Sequence, residues 1–459
     1  MRTLLTLLLV LTPGLICNAG VSLDFQGQTY NSNTSNVPAP QAAARGVAVS
    51  KPAKAAPKKW TVMVFMNAKN NLELAGLYNV NQMETVGSSN DVNIVAELGR
   101  MNGQKQGDTH LDGDWTGARR IYVQKDADEE KITSPVVDKL DKVDMGDYKR
   151  LVDFVSWTKK NYPARRYMLV IWNHGSGWLD PKQSKKSSRG ISFDDETGNY
   201  IRTMQIGQAL REAGKVDVLA FDACLMEMGE VAGEVRDVSD VVIGSEETVP
   251  GLGYPYNSWL AALVKNPDMT NATLGRTVVG AFKKFYDGSK QNAHLAAIRS
   301  DKVAGLEQKA AVFAAAAKAV NEPDAFKAAR SGVIRYDALG AESDPKMTIS
   351  FYGDLAQYSK LLAANVKGTD DKAAALKASA ADLQNYISRE LVIATGGSNS
   401  NRAGHAMSES AGIAVYLPPA ETRIAQERLE GIFEGPYDNF AFSKATGWHD
   451  FVTFLYGIK

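Results

Sequence analysis

Cysteine is nearly absent from this 459-residue chain, which carries only Cys17 and Cys224, too few for a framework of several disulfides. Net charge is absent too. Lys+Arg and Asp+Glu both number 52, and this balance gives no reason to expect a nucleic-acid or polyanion partner. There is no His-Glu-x-x-His zinc motif and no phosphate-cradling Gly-Lys-Ser/Thr loop. Ser176 does not sit in a Gly-x-Ser-x-Gly elbow. No internal repeat or heptad array is visible, and the N-terminal apolar run is too short for a comfortable membrane span. What remains is an ordinary globular composition, 44% hydrophobic and 23% charged, with length for one large domain or two smaller ones.

The N-terminus has Arg2, an apolar run from Leu4 to Ile16 broken only by Thr6 and Thr12-Pro13-Gly14, and then Cys17-Asn18-Ala19. That order of charged, apolar and small residues reads as a signal peptide over 1–19, and it predicts an exported protein, secreted, periplasmic or cell-surface. Bulky Ile16 argues against lipid attachment at Cys17. Residues 20–59 are rich in Asn, Ser, Ala, Pro and Lys and read as a flexible linker or pro-segment. The folded domain is expected over 60–459. Once the leader is removed, Cys224 is the only cysteine of the mature chain. A small buried hydrophobe is the ordinary reading of such a residue, so its setting has to decide.

From Trp60 onward, apolar runs alternate with helix-period segments. Thr61–Met66, Val92–Leu98, Arg120–Val123, Tyr167–Trp172, Val216–Phe221 and Val241–Ile243 read as strands, and Leu72–Val86, Tyr148–Lys160, Thr203–Ala213 and Leu225–Val235 as helices. The alternation predicts an α/β layered fold with a mainly parallel sheet, in which the continuously apolar runs Met168–Trp172 and Val216–Phe221 are central strands. Beyond about residue 300 the chain turns helical and Ala-rich, in Lys302–Val320 and Asp371–Leu391. These segments read as packing scaffold. Strands at His294–Ile298 and Gly412–Leu417 interrupt this region, and the later one is expected to return to the same sheet.

Two strands end alike. Tyr167–Trp172 runs into Asn173-His174-Gly175-Ser176-Gly177, and Val216–Phe221 runs into Asp222-Ala223-Cys224. Functional groups collect beyond the carboxyl ends of parallel strands, so if these two are neighbours, His174 and Cys224 face one another. A thiol is mostly protonated at neutral pH, and a nearby imidazole and a helix starting after Cys224 would both favour the thiolate. Gly175 lets a backbone N–H approach a substrate, and with the N–H of Cys224 it would form an oxyanion hole. His110, His294, His405 and His449 are less well placed.

These residues carry a resemblance. The pairing of Asn173-His174-Gly175 with Asp222-Ala223-Cys224 looks like the caspase-like clan of cysteine peptidases. Within that clan, Trp60–Asn67 followed by Asn70-Asn71-Leu72-Glu73, His174-Gly175-Ser176-Gly177-Trp178, and Phe221–Met226 resemble the clostripain family. The resemblance runs from about Trp60 through Tyr256, with weaker support to Pro418. It implies a caspase-like α/β/α sandwich with helical C-terminal elaborations, and an endopeptidase with Cys224 as nucleophile and His174 as base. It also implies Asp222 as a pocket acid selecting Arg or Lys before the cut, where a charge-assisted pair would confer selectivity. Helix capping by Asp222 is the competing reading. Glu246 and Glu247 would add charge to that pocket or else lie solvated in a loop. Lys69 departs from the family, which usually has an acidic residue there, and no charge role is assigned to that turn.

The segment 179–190 carries Lys182, Lys185, Lys186 and Arg189 among Ser, Pro and Gly. It reads as a protease-accessible loop, and the resemblance makes it the candidate site of autoprocessing, leaving a monomer or a self-cleaved two-chain form. No cofactor is required by the sequence. Calcium follows only from the resemblance, because Asp194-Asp195-Glu196-Thr197-Gly198-Asn199 lacks EF-hand spacing and reads as a solvated acidic turn. The partners are then protein or peptide substrates. The competing classes are a catalytically silent binding protein of the same fold and an acyl- or peptide-transferase using the same dyad.

Overall fold

A computed structural model describes residues 57–458, apart from 104–106, 129–130, 181–189, 337–349, 402, 422–424 and 432–434. Its strands in chain order are β1 Lys58–Asn67, β2 Val92–Arg100, β3 Gly117–Tyr122, β4 Val136–Leu140, β5 Ala164–Trp172, β6 Ile191–Asp194 and β7 Asn199–Ile201. They continue as β8 Val218–Asp222, β9 Val241–Gly244, β10 Ala293–Arg299, β11 Arg335–Tyr336, β12 Tyr352–Asp354, β13 Val392–Ser398 and β14 Ala414–Tyr416. Nine of them form one sheet in the order β13-β10-β9-β8-β5-β1-β2-β3-β4. The centre, from β9 to β2, is parallel, and two antiparallel strands extend it on each side.

The sheet is buried on both faces, as its apolar centre requires. Met63, Phe65, Leu169, Ile171, Leu219 and Phe221 point into one core, while Val62, Val64, Met168, Val170, Val218 and Ala220 point into the other. Helices Tyr148–Asn161 and Thr203–Ala213 cover the first face. Helices Glu73–Glu84, Tyr256–Lys265 and Asn271–Asp287 cover the second. The Ala-rich helices Val303–Lys318 and Asp371–Tyr386 pack together and thicken the first layer, burying Leu306, Ala310, Phe313, Leu376 and Leu383. Each large aliphatic or aromatic side chain so buried is worth roughly 1.5–3 kcal/mol. The result is the layered α/β fold expected from the alternation of elements, in the form of the α/β/α sandwich that the resemblance implies.

Two local expectations are corrected. The late strand β14 does not return to the large sheet, but pairs with β12 in a separate three-stranded sheet, β11-β12-β14. The large sheet's edge is instead β13, whose Gly396-Gly397-Ser398 carries little strand signal and is ordered by pairing with β10. The helix after β8 begins at Gly229, not at Leu225, because Leu225 adopts the left-handed region (φ 61°) and Met228 bridges Ala414.

Where β5 and β8 pair, apolar alternation cannot choose the register, since both strands are apolar on both faces. Their polar ends choose it. At the start, the Tyr167 N–H donates to the Asp217 carboxylate at 2.7 Å and the Asp217 N–H to the Tyr167 carbonyl at 2.8 Å; at the far end, the Asn173 N–H donates to the Asp222 carbonyl at 3.2 Å. Trp172 therefore stands opposite Asp222.

Candidate active site

His174 and Cys224 each lie two residues beyond that last aligned pair, so both leave the sheet at the same edge. Gly175 draws the two exits together. A Cβ at Gly175 would lie 2.4 Å from the Cys224 carbonyl oxygen and 3.1 Å from the Ala223 Cβ, a space that only glycine fits. The two residues singled out in the sequence are thus brought together by neighbouring strands.

Cys224 is buried, at 1% exposure. The Val249 N–H donates to its Sγ at 3.2 Å, so a backbone dipole from the segment after β9 points at the sulfur. This donor takes the place of the helix N-terminus expected at Cys224, which lies several residues away at Gly229. The Leu225 N–H donates to the Glu247 carbonyl at 3.2 Å and ties the same two segments together.

His174 is half-buried, and burial pushes its imidazole down to about 4, which keeps it neutral near pH 7. Its Nε2 lies 2.8 Å from Asn71 Oδ1. Since an amide oxygen only accepts, His174 donates from Nε2 and its lone pair resides on Nδ1. In the sequence Asn71 carries one signal, its place in a polar Asn-Asn pair shortly after the first central strand.

The turn that carries Asn71 is laced to the loop that carries His174. Asn173 donates from Nδ2 to the Asn67 carbonyl and accepts at Oδ1 from the Phe193 N–H at 3.0 Å. Asn67 donates to the Ser192 carbonyl at 3.0 Å, and Asn70 to the Phe193 carbonyl at 2.8 Å. Below them, Lys69 is fully buried, with Nζ 3.0 Å from Asp194, 2.5 Å from Glu196 and 2.6 Å from the Val143 carbonyl. Lys69 does have a charge role in this turn. Asp194, expected in a solvated acidic turn, is itself buried and accepts backbone N–H groups from Met145, Glu196 and Thr197 at 2.9–3.1 Å. Its oxygens are committed to a cation already in the chain. Among the described residues no group of three or more His, Cys, Asp or Glu side chains is arranged to hold a metal.

Asp222 is 4% exposed, and burial pushes it up to about 7. Its carboxylate accepts from the Tyr254 N–H and the Tyr256 hydroxyl, both at 3.0 Å, with Gly253 (φ 63°) packed against it. It therefore organises the 253–256 turn and caps no helix. Glu246 and Glu247 are buried, not solvated. Glu246 accepts from the Gly412 N–H at 3.0 Å with His294 at 3.4 Å, and Glu247 accepts from the Thr248 N–H at 2.7 Å. Lys182, Lys185, Lys186 and Arg189 lie outside the described residues.

The C-terminal region braces the loop after His174. Trp178 is buried against Tyr416 and Tyr437, at ring separations of 4.8 and 4.9 Å. Tyr352 donates its hydroxyl to the Ser176 carbonyl at 2.5 Å, and Thr203 donates to the Gly177 carbonyl at 2.6 Å. Gly177 (φ 63°) has no room for a Cβ, which would sit 2.6 Å from that tyrosine hydroxyl.

The chain is 29% identical over 258 residues to clostripain from Hathewaya histolytica, a match covering 52% of this chain and about half (49%) of that protein's length. It shares its fold with an inactive zymogen C11 protease from Parabacteroides distasonis, at 18% identity and TM-score 0.61 over 86% of this chain and 99% of that one. A secreted C11 cysteine protease from Bacteroides thetaiotaomicron, solved with an irreversible peptide inhibitor, superposes with TM-score 0.58 at 19% identity, over 85% and 99% of the two chains. The family pattern of clostripain is matched across residues 64–454, a span that includes both strand ends at the site, and the chain belongs to the clostripain family.

Proposed function

We propose that this protein is an exported cysteine endopeptidase in which Cys224 attacks the scissile carbonyl and His174 is its base. The observation that carries this reading is the β5–β8 register, which delivers both residues to one sheet edge with Gly175 pressed against Cys224. In the proposed reaction the Nδ1 lone pair of neutral His174 takes the thiol proton as Sγ bonds to the carbonyl carbon. The N–H groups of Gly175 and Cys224 hold the resulting oxyanion. Collapse expels the amine, which takes the proton from His174, and water then releases the acyl group from sulfur.

Asp222, Glu246 and Glu247 support a preference for Arg or Lys before the cut. They are buried carboxyl groups on the segments flanking Cys224, and burial raises the pKa of Asp222 and Glu246. A guanidinium or ammonium arriving beside Asp222 or Glu246 would restore the ionised form of that carboxyl and gain a charge-assisted pair. The burial of Cys224 supports a precursor that opens before turnover, with a cut in the basic 179–190 segment as the proposed trigger.

Hydrolysis of fluorogenic peptides ending in Arg, Lys, Asp or Ala, with reductant present, tests the reading on wild type, Cys224→Ala and His174→Ala. Activity surviving in Cys224→Ala would sink the mechanism, and a preference for Asp or Ala would sink the pocket. Electrophoresis of wild type beside Cys224→Ala tests processing. A wild-type chain that stays intact under activating conditions counts against it.

A further inference from the structure

We infer that Asn71 is the positioning residue of the site, holding His174 in the tautomer and orientation that leave Nδ1 free to act on Cys224. The inference rests on the proposed Cys224–His174 reading and adds a third residue to it, from a different part of the chain. Three observations carry it.

The first is contact. Asn71 Oδ1 lies 2.8 Å from His174 Nε2, and an acceptor there holds the proton on Nε2. The second is rigidity, because a positioning group works only if it is itself held. The Lys69 N–H donates to Asn67 Oδ1 at 3.1 Å, the Leu72 N–H to Asn70 Oδ1 at 3.0 Å, and the Asp195 N–H to the Lys69 carbonyl at 2.9 Å. The buried Lys69–Asp194 pair anchors this turn from below. From above, Gly107 (φ 79°) packs so closely that a Cβ there would meet the Asn71 carbonyl oxygen at 2.3 Å. The Asn71 backbone is thus held by its neighbours and by Gly107.

The third is charge. A carboxylate in this place would stabilise the imidazolium and raise the basicity of His174, whereas an amide orients the ring without adding charge. An amide therefore suits a site in which the imidazole stays neutral until it takes the thiol proton.

The test compares Asn71→Ala and Asn71→Asp with wild type, using kcat and KM on a fluorogenic peptide across pH. Asn71→Ala is expected to lower kcat roughly 10- to 100-fold with KM nearly unchanged, since it frees the ring orientation and not the substrate. Asn71→Asp is expected to move the acid limb of the kcat/KM profile up by at least about one pH unit, because the new carboxylate stabilises the imidazolium. A kcat within threefold of wild type in Asn71→Ala, together with an unmoved acid limb in Asn71→Asp, overturns the inference. The dyad itself is judged separately, by whether Cys224→Ala abolishes turnover. A second measurement needs no turnover. Nitrogen chemical shifts of the His174 ring in Cys224→Ala should report a proton on Nε2, and adding Asn71→Ala should shift the ring toward a mixture of tautomers. Identical tautomer populations in the two proteins would refute the role of Asn71 whatever the enzyme does.

Discussion

Replacing Gly175 with alanine probes the contact on which the whole site depends. The added methyl would lie 2.4 Å from the Cys224 carbonyl oxygen, where ordinary van der Waals contact begins at 3.4 Å. The obstacle is backbone, so no side chain can swing away. The 175 and 224 segments must separate by about 1 Å, and a displacement of that size between reacting groups costs on the order of 10²-fold in rate. The expected outcome for Gly175→Ala is a folded protein whose kcat falls about 100-fold, with thermal melting recorded alongside to show that the fold persists. The polar ladder at both ends of β5 and β8 lies outside the clash and should hold the sheet together. A Gly175→Ala enzyme with kcat within threefold of wild type would show that the exits of β5 and β8 are not in mutual contact in the working enzyme, and the geometric argument would fail.

Other consequences concern stability. Lys69→Met strands the buried Asp194 carboxylate with only backbone donors and is expected to cost about 3 kcal/mol in denaturant unfolding, while Asp194→Asn costs less because Glu196 and the Val143 carbonyl still hold Lys69. The double variant should be more stable than the sum of the singles predicts, and simple additivity would show that the pair is not coupled. Burial raises Asp222 to about 7 in the folded protein, against an ordinary value of 3.8, so between those pH values the unfolded chain loses its proton while the folded one keeps it. Stability from this group is therefore full below about pH 4 and declines by about 1.4 kcal/mol per pH unit up to about pH 7. Asp222→Asn should remove that slope relative to wild type, and parallel curves would contradict it. Trp178→Ala empties a site between Tyr416 and Tyr437 and is expected to cost about 3–5 kcal/mol, with a loss of turnover as the loop after His174 loosens. A melting temperature unchanged from wild type would refute that bracing role.

Much of the site was legible as sequence because its strands announce themselves. Met168–Trp172 and Val218–Phe221 are apolar throughout, which marks them as central, and each ends abruptly in polar residues that include His174 and Cys224. The misreadings have equally local causes. Leu225–Val235 has helix-compatible composition, yet Leu225 is held at positive φ by a loop that must return toward β9 and β14. β13 has too much glycine to be read as a strand without β10 beside it. Lys69 looked out of place because its partner, Asp194, is remote in sequence and meets it only in the folded chain.

The sequence by itself determined the layered α/β architecture and singled out Cys224 and His174 as candidates at the carboxyl ends of two central strands, because apolar periodicity and abrupt polar strand ends are local properties of a chain. Only the tertiary structure decided which hydrogen-bond partners serve those two residues. The Val249 N–H at the sulfur, the Asn71 amide at the imidazole and the Lys69–Asp194 pair beneath it all come from segments remote in sequence. A buried polar group takes its partner from whatever the packed fold places within hydrogen-bond reach, and nothing in the order of residues states that distance in advance.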